Sequence, residues 1–191
     1  MGKERLTAFT DGVVAIIITI MVLELKVPAG PTATDLVRNL PVLATYVLSF
    51  VYVAIYWNNH HHLLQTVRSV SGGVLWANMH LLFWLSLTPF ATAWMGQNGL
   101  SPVPVAAYGG VLIMNGVAYT ILTLTLIRHE GQDSLIARAI GRDLKGWASL
   151  AAYALAIALA FTAPVASIAI YGLVALLWLI PDRRVERVLG G

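Results

Sequence analysis

The sequence predicts an all-α membrane protein with six transmembrane helices, and three observations carry that prediction. Apolar residues fill 58% of the 191 positions and charged residues only 11%, where a soluble domain carries about 25% charged residues. Six stretches stay apolar for about the 20 residues that a helix needs to cross the hydrocarbon core. The basic residues cluster on alternate connections, as they do in a chain that weaves through a bilayer. With a mean hydropathy of +0.76, the chain has too little polar surface to face water on all sides. Lipid must solvate much of its exterior.

The spans follow in order. The first covers about residues 7–27 and stops at Pro28, where Pro-Ala-Gly-Pro cannot continue a helix. It reads as a retained span rather than a cleaved signal peptide, because it is too long, holds Asp11, and lacks a small-residue cleavage site before Pro28. The second covers about 42–62, the third 74–95 and the fourth 103–127. The fifth, about 147–163, and the sixth, about 165–180, are separated by little more than Pro164 and read as a tight helical hairpin. Between the fourth and fifth, a short amphipathic helix is expected around 134–144. No repeat or soluble domain interrupts this single domain.

Charge fixes the orientation. With the amino terminus cytoplasmic, inner segments hold Lys3, Arg5, Arg68, Arg128, Arg138, Arg142, Lys145, Arg183, Arg184 and Arg187, and outer segments hold Lys26 and Arg38. An odd number of spans would spoil that bias, so both termini are expected in the cytoplasm. The net charge of +3 is small and the chain has no cysteine. Disulfides, thiolate metal sites and cysteine nucleophiles are thereby excluded, and no nucleic-acid partner is expected.

Ionisable groups within spans are costly and mark functional sites by default. Asp11, Glu24, His60, His61, His62 and His80 are such groups, with Arg5 at the entrance of the first span. Arg5, Asp11, Trp57, Asn58, Asn59, His60, Asn78 and His80 share one depth, contributed by three spans. That layer fits interhelical bonding, such as Asp11 paired with His60 or Arg5. It also fits a proton relay through Asp11 and His60 in a coupled secondary transporter. A metal held by His60 and His80 is weaker, since adjacent histidines on a helix point about 100° apart and one carboxylate alone shares the layer.

The first span has two faces. At about 100° per residue, Ile16, Thr19 and Leu23 fall within an arc of roughly 60°, and Asp11 points about 140° away from Ile16. Periodicity by itself favours packing over a pore for this stripe, since Ile, Thr and Leu at helical spacing more often pack.

Arg5, Phe9, Thr10 and Asp11, ahead of an apolar helix that ends at Pro28, resemble the R-x-x-x-F-S-D signature of the transmembrane protein 175 family. Trp57-x-x-His60 resembles that family's second-helix motif, and Asn78 with Pro89-Phe90 its third. Thr10 stands where the family usually has Ser. The family comprises potassium-selective channels of endosomes and lysosomes, with shorter prokaryotic relatives, and the resemblance covers about the first half of the chain. It implies a homotetramer in a prokaryotic cell membrane, with four copies of the first helix around a K+ pathway and no carbonyl-lined filter loop. By their offset from Asp11, Ile16 and Leu23 match apolar constrictions and Thr19 a selectivity ring. Glu24 would attract cations at the outer mouth, or pair with Lys26. Arg5, Phe9, Thr10, Asp11, Trp57, His60 and Asn78 would form a structural network. The resemblance implies no cofactor, no resident metal and no enzymatic activity.

Overall fold

The structure, a computed structural model, describes residues 2–141 and 143–179. Arg142, Ile180, Arg183, Arg184 and Arg187, which entered the sequence reading, lie outside the described residues. Among the described residues the chain forms helices α1 (Lys3–Leu23), α2 (Ala33–Arg38), α3 (Leu40–Gln65), α4 (Gly72–Ser86), α5 (Thr88–Gln97), α6 (Pro102–Glu130), α7 (Leu135–Ile140), α8 (Leu144–Leu159) and α9 (Pro164–Leu179).

Among the described residues, four helical segments are long and apolar enough to cross a membrane: α1, α3, α4 with α5, and α6. The 26 residues of α3 reach about 39 Å at about 1.5 Å per residue. Helices α8 and α9 are apolar but have 16 residues each, a length of about 24 Å by the same rise.

Several ends differ from the sequence expectation for local reasons. α1 stops at Leu23 with Glu24 as its cap, four residues ahead of the expected end at Val27, and residues 25–28 are irregular. The stretch expected at 74–95 is two helices that meet at Leu87. Pro89 has no N–H to give to the ladder and its ring crowds the carbonyl four residues back, so α4 closes at Ser86 and α5 opens at Thr88. The amphipathic helix is shorter than expected, ending at Ile140 before Gly141 at φ 51°. Helix α2 was not anticipated. It rests on a capping box in which Thr32 and Asp35 satisfy each other's backbone N–H.

Helix starts follow the usual chemistry. Pro41, Pro89 and Pro102 sit in first turns, where a missing N–H costs nothing. Ser71, Ser134 and Asp143 accept backbone N–H bonds as N-caps of α4, α7 and α8.

The bundle has two layers. α1 packs against α3, α4 and α5, while α6 lies behind α4 and carries the α8–α9 hairpin. One core joins Leu6, Val14, Ile17 and Met21 of α1 to Leu81 and Leu85 of α4 and Leu122 and Leu126 of α6. The second joins Tyr52 of α3 to Met95, Tyr108, Tyr153 and Tyr171 in α5, α6, α8 and α9. At the amino-terminal end, Lys3 Nζ donates to the carbonyls of Leu64 at 3.4 Å and Val67 at 2.9 Å. It thereby holds α1 to the backbone at and just beyond the end of α3. Glu130 Oε1 accepts from the backbone N–H groups of Arg68 and Ser69, so α1, α3 and α6 are tied at one end.

Candidate functional site

Polar side chains on the amino-terminal half of α1 are held by two separate sets of bonds. Thr10 is buried on the α1 face that meets α4 and accepts from Asn78 Nδ2 at 3.0 Å. Asn78 Oδ1 in turn lies 2.8 Å from His60 Nε2, so the imidazole presents an N–H there. This Thr10–Asn78–His60 chain crosses α1, α4 and α3 in a region where each residue is almost fully buried. Every bond in it replaces water that the bilayer cannot supply.

Asp11 belongs to the other set. Its Oδ1 accepts from Trp57 Nε1 at 2.8 Å, at the edge of the α1–α3 contact where the tryptophan is still 43% exposed. The expected pairing of Asp11 with His60 or Arg5 is therefore corrected. His60 faces inward to Asn78, because residues three apart on α3 point about 60° apart. Arg5 and Phe9 stand on the exposed side of α1. The suggested His60–His80 metal pair is likewise replaced, as His80 Nε2 accepts from Trp84 Nε1 at 3.0 Å. No group of three or more His, Asp or Glu among the described residues is arranged to hold a metal ion.

The other face of α1 is left exposed among the described residues. Ile16 is 60% and Leu23 76% exposed, and Thr19 is exposed between them. Arg5, Phe9, Gly12, Ile16, Thr19 and Leu23 are all exposed and follow steps of four and three in alternation. That averages 3.6 residues a step, so the six lie along one stripe of the helix. Apolar exposure alone would suit lipid, which is as apolar as leucine, whereas small and polar residues favour helix–helix approach. Gly12 and Thr19 supply both. Apart from the backbone of α1 itself, nothing among the described residues lies within 4 Å of where a Cβ on Gly12 would sit.

Thr19 Oγ1 donates to the Ala15 carbonyl at 2.8 Å. Its one proton is thus committed to the helix, and the oxygen presents lone pairs outward. Glu24 is exposed beside this stripe, and Lys26 Nζ bonds Gln97 Oε1 at 3.4 Å.

A third polar group escaped the sequence reading. Tyr52 OH donates to the Tyr171 carbonyl at 2.7 Å and accepts from Tyr153 OH at 3.3 Å. Nearby, Tyr108 OH and Thr92 Oγ1 lie 3.0 and 2.6 Å from Ser49 Oγ. Phenols within a span look apolar in a hydropathy sum. Only the repeated tyrosines of the second, fourth, fifth and sixth spans hinted at this cluster.

A sequence profile described as endosomal/lysosomal potassium channel TMEM175 matches residues 5–89. A potassium channel of Chryseobacterium sp. (strain P1-3) is 56% identical over 189 residues, covering 99% of this chain and 98% of its own length. The chain belongs to the TMEM175 potassium channel family. A potassium channel of Streptomyces collinus is 32% identical over 185 residues, covering 90% of this chain and 89% of its own. The crystal structure of a lysosomal potassium-selective channel TMEM175 homolog from Chamaesiphon minutus superposes with a TM-score of 0.82 at 25% identity. That match covers 94% of this chain and 97% of the other. The chain is accordingly an all-helical integral membrane protein of channel fold, and it is not an enzyme. These matches do not favour a coupled transporter.

Proposed function

We propose that the chain is one subunit of a homotetrameric, potassium-selective channel whose α1 helices line the pore. The observation that carries this reading is the exposed α1 stripe, which runs the length of the helix and carries the outward lone pairs of Thr19. One subunit offers a single such helix and cannot enclose a pore alone. Four copies around an axis would bring Ile16, Thr19 and Leu23 into successive rings.

Those rings suit the permeation of a weakly hydrated cation. Rings of Ile16 and Leu23 form apolar constrictions that close by dewetting. Between them, a Thr19 ring offers neutral oxygens whose protons point back into the helix, so each replaces part of an ion's water shell. Potassium sheds water more cheaply than sodium, which favours it modestly without a carbonyl-lined loop. Glu24 would raise the local cation concentration at the mouth. Arg5, Phe9, Thr10, Asp11, Trp57, His60 and Asn78 set the rotation of α1 against α3 and α4.

In this reading six helical segments span the bilayer, α8 and α9 as a short hairpin. Both termini lie in the cytoplasm of a prokaryotic cell, on the side that collects the basic residues. Potassium is the permeant ion, lipid the surrounding solvent, and no cofactor takes part.

Potassium and sodium flux through purified protein in liposomes tests the proposal. Ile16→Asn should hydrate the constriction and raise conductance, and Thr19→Ala should reduce the preference for potassium. Unchanged conductance in the first together with unchanged preference in the second would remove α1 from the pore.

A further inference from the structure

We infer that the cavity between α3, α6 and α8 is a hydrated site, in which ordered water joins the Tyr56 hydroxyl and the Asn59 amide of α3 to the Asp143 cap of α8. The cavity has a volume of about 40 Å³, and its wall comes from these three helices and from Trp178 of α9, with no residue of α1. Size decides what it can hold. One water needs about 10–15 Å³ of such space, so two or three fit, and an acyl chain or a metabolite does not.

Most polar side chains on the wall are already paired. Tyr119 OH donates to the Asn59 carbonyl at 3.2 Å, and Thr120 Oγ1 to the Gly116 carbonyl at 2.9 Å. Trp178 Nε1 donates to Ser149 Oγ at 2.9 Å, and Tyr153 OH to Tyr52 OH at 3.3 Å. Tyr56 is different. Its ring stands edge-on to Tyr119, with centroids 6.0 Å apart, and its hydroxyl forms no hydrogen bond among the described residues. Asn59 lines the same wall three residues further along α3, and its side-chain amide likewise forms none. Asp143 spends Oδ1 on the Gly146 N–H at 2.9 Å, which leaves Oδ2 as an acceptor. A phenol and an amide inside a membrane bundle need partners that lipid cannot supply. A buried water needs two to four polar partners, and these three groups meet that count.

Gly116 keeps the space open. A Cβ there would lie 2.9 Å from Leu150 Cδ2 and 3.7 Å from the Tyr56 hydroxyl, so a methyl group would take the place of water beside the phenol. Charge favours water over a cation. Lys145 Nζ already stands 4.4 Å from the centre of the Trp178 ring, and that positive charge opposes a second one next to it. Trp57 and His60, on the same turns of α3, reach Asp11 of α1 and Asn78 of α4. The water thus ties the start of α8 to the segment of α3 that holds α1.

Millisecond X-ray radiolysis of the purified assembly, read by mass spectrometry, tests the inference, because hydroxyl radicals born from a bound water oxidise the side chains around it. Tyr56 should be oxidised several-fold faster than Tyr108, a fully buried tyrosine whose hydroxyl is bonded to Ser49. A radical scavenger in the bulk solution should suppress oxidation of the exposed Trp147 more than that of Tyr56. Gly116→Ala should bring the Tyr56 rate down towards that of Tyr108. Asn59→Leu, which removes the amide at similar size, should do the same, and it carries the comparison if the first variant does not assemble on size exclusion. Equal rates at Tyr56 and Tyr108 in the wild type would show a dry cavity and overturn the inference. Equal suppression of Tyr56 and Trp147 by the scavenger would also overturn it, since the phenol would then face open solvent. An unchanged Tyr56 rate in the variants would place the water elsewhere, with the same result. Oxidation is read without ion flux, so these outcomes leave the channel proposal to its own test.

Discussion

Trp57 on α3 donates its indole N–H to the Asp11 carboxylate on α1 at 2.8 Å, while His60, one turn further along α3, reaches Asn78 instead. The two contacts grip the same α1 segment about 100° apart around its axis, Asp11 at a half-open edge and Thr10 in the core. Together they fix both the depth and the rotation of α1. That matters because a rotation of one residue, about 100°, would turn Ile16 and Thr19 away from the face they share.

The Asp11–Trp57 bond is therefore expected to stabilise assembly more than to tune ion preference. Asp11→Ala should lower the melting temperature of the detergent-solubilised protein, by the equivalent of about 0.6–1.7 kcal/mol, the range measured for interhelical bonds in membrane bundles. Asp11→Asn keeps an acceptor oxygen and should cost less. Trp57→Phe should cost about as much as Asp11→Ala, with the double variant little worse than either. Fluorescence-detected size exclusion after heating reads all four. Additive losses would show that the two side chains act independently.

The buried chain should be less forgiving. Asn78→Leu removes the partner of both Thr10 and His60 at a position with no exposed surface. Each group left unsatisfied costs about 1–3 kcal/mol, so the variant should yield little assembled protein. Thr10→Val should be milder, and Thr10→Ser close to neutral because the hydroxyl is retained. Comparing yield and melting temperature across the three separates lost bonds from lost packing. A well-assembled Asn78→Leu protein would contradict the role given to this chain.

Hydropathy and charge made the membrane class and the long helices legible, because both are sums along the chain. The motif residues on α1, α3 and α4 were legible as a group at one depth. Their partners were not: Asp11 was expected to meet His60 or Arg5, and the structure gives it Trp57. Depth follows from counting residues, but rotation about each helix axis follows from packing across the whole interface. The end of α1 at Leu23 was missed for a related reason, since apolar runs do not reveal where a backbone ladder stops, whereas Pro89 stood out in the sequence as a breaker within the third span. The tyrosine cluster was hidden because phenols are apolar enough to pass as lipid-facing residues.

Close approach of α6 to α9 depends on Gly109. A Cβ there would collide with the Tyr171 hydroxyl and lie 2.8 Å from Ile157 Cγ1. Tyr171 is held in place by its own bond to the Val105 carbonyl at 3.2 Å, so it cannot swing aside freely. Gly109→Val should destabilise the α6–α8–α9 layer by about 1–3 kcal/mol, the usual cost of overpacking. Limited proteolysis should show it as earlier cleavage in the α6–α8 connection, with α1, α3 and α4 still protected. Cleavage spread evenly over all connections would argue that the two layers do not open separately.

Thr19 offers the sharpest separation of shape from chemistry. Its hydroxyl proton lies on the Ala15 carbonyl, so the group faces outward as an acceptor and the methyl occupies the space beside it. Thr19→Ser keeps the oxygen and the same bond to the helix, and it should retain most of the preference for potassium over sodium. Thr19→Val keeps the shape and removes the oxygen, and it should lose most of that preference while lowering conductance through a longer apolar throat. Reversal potentials under bi-ionic conditions measure the preference directly, independently of how many channels are open. If Thr19→Val and wild type give the same reversal potential, the oxygen ring does no selecting, and the preference must come from the constrictions at Ile16 and Leu23.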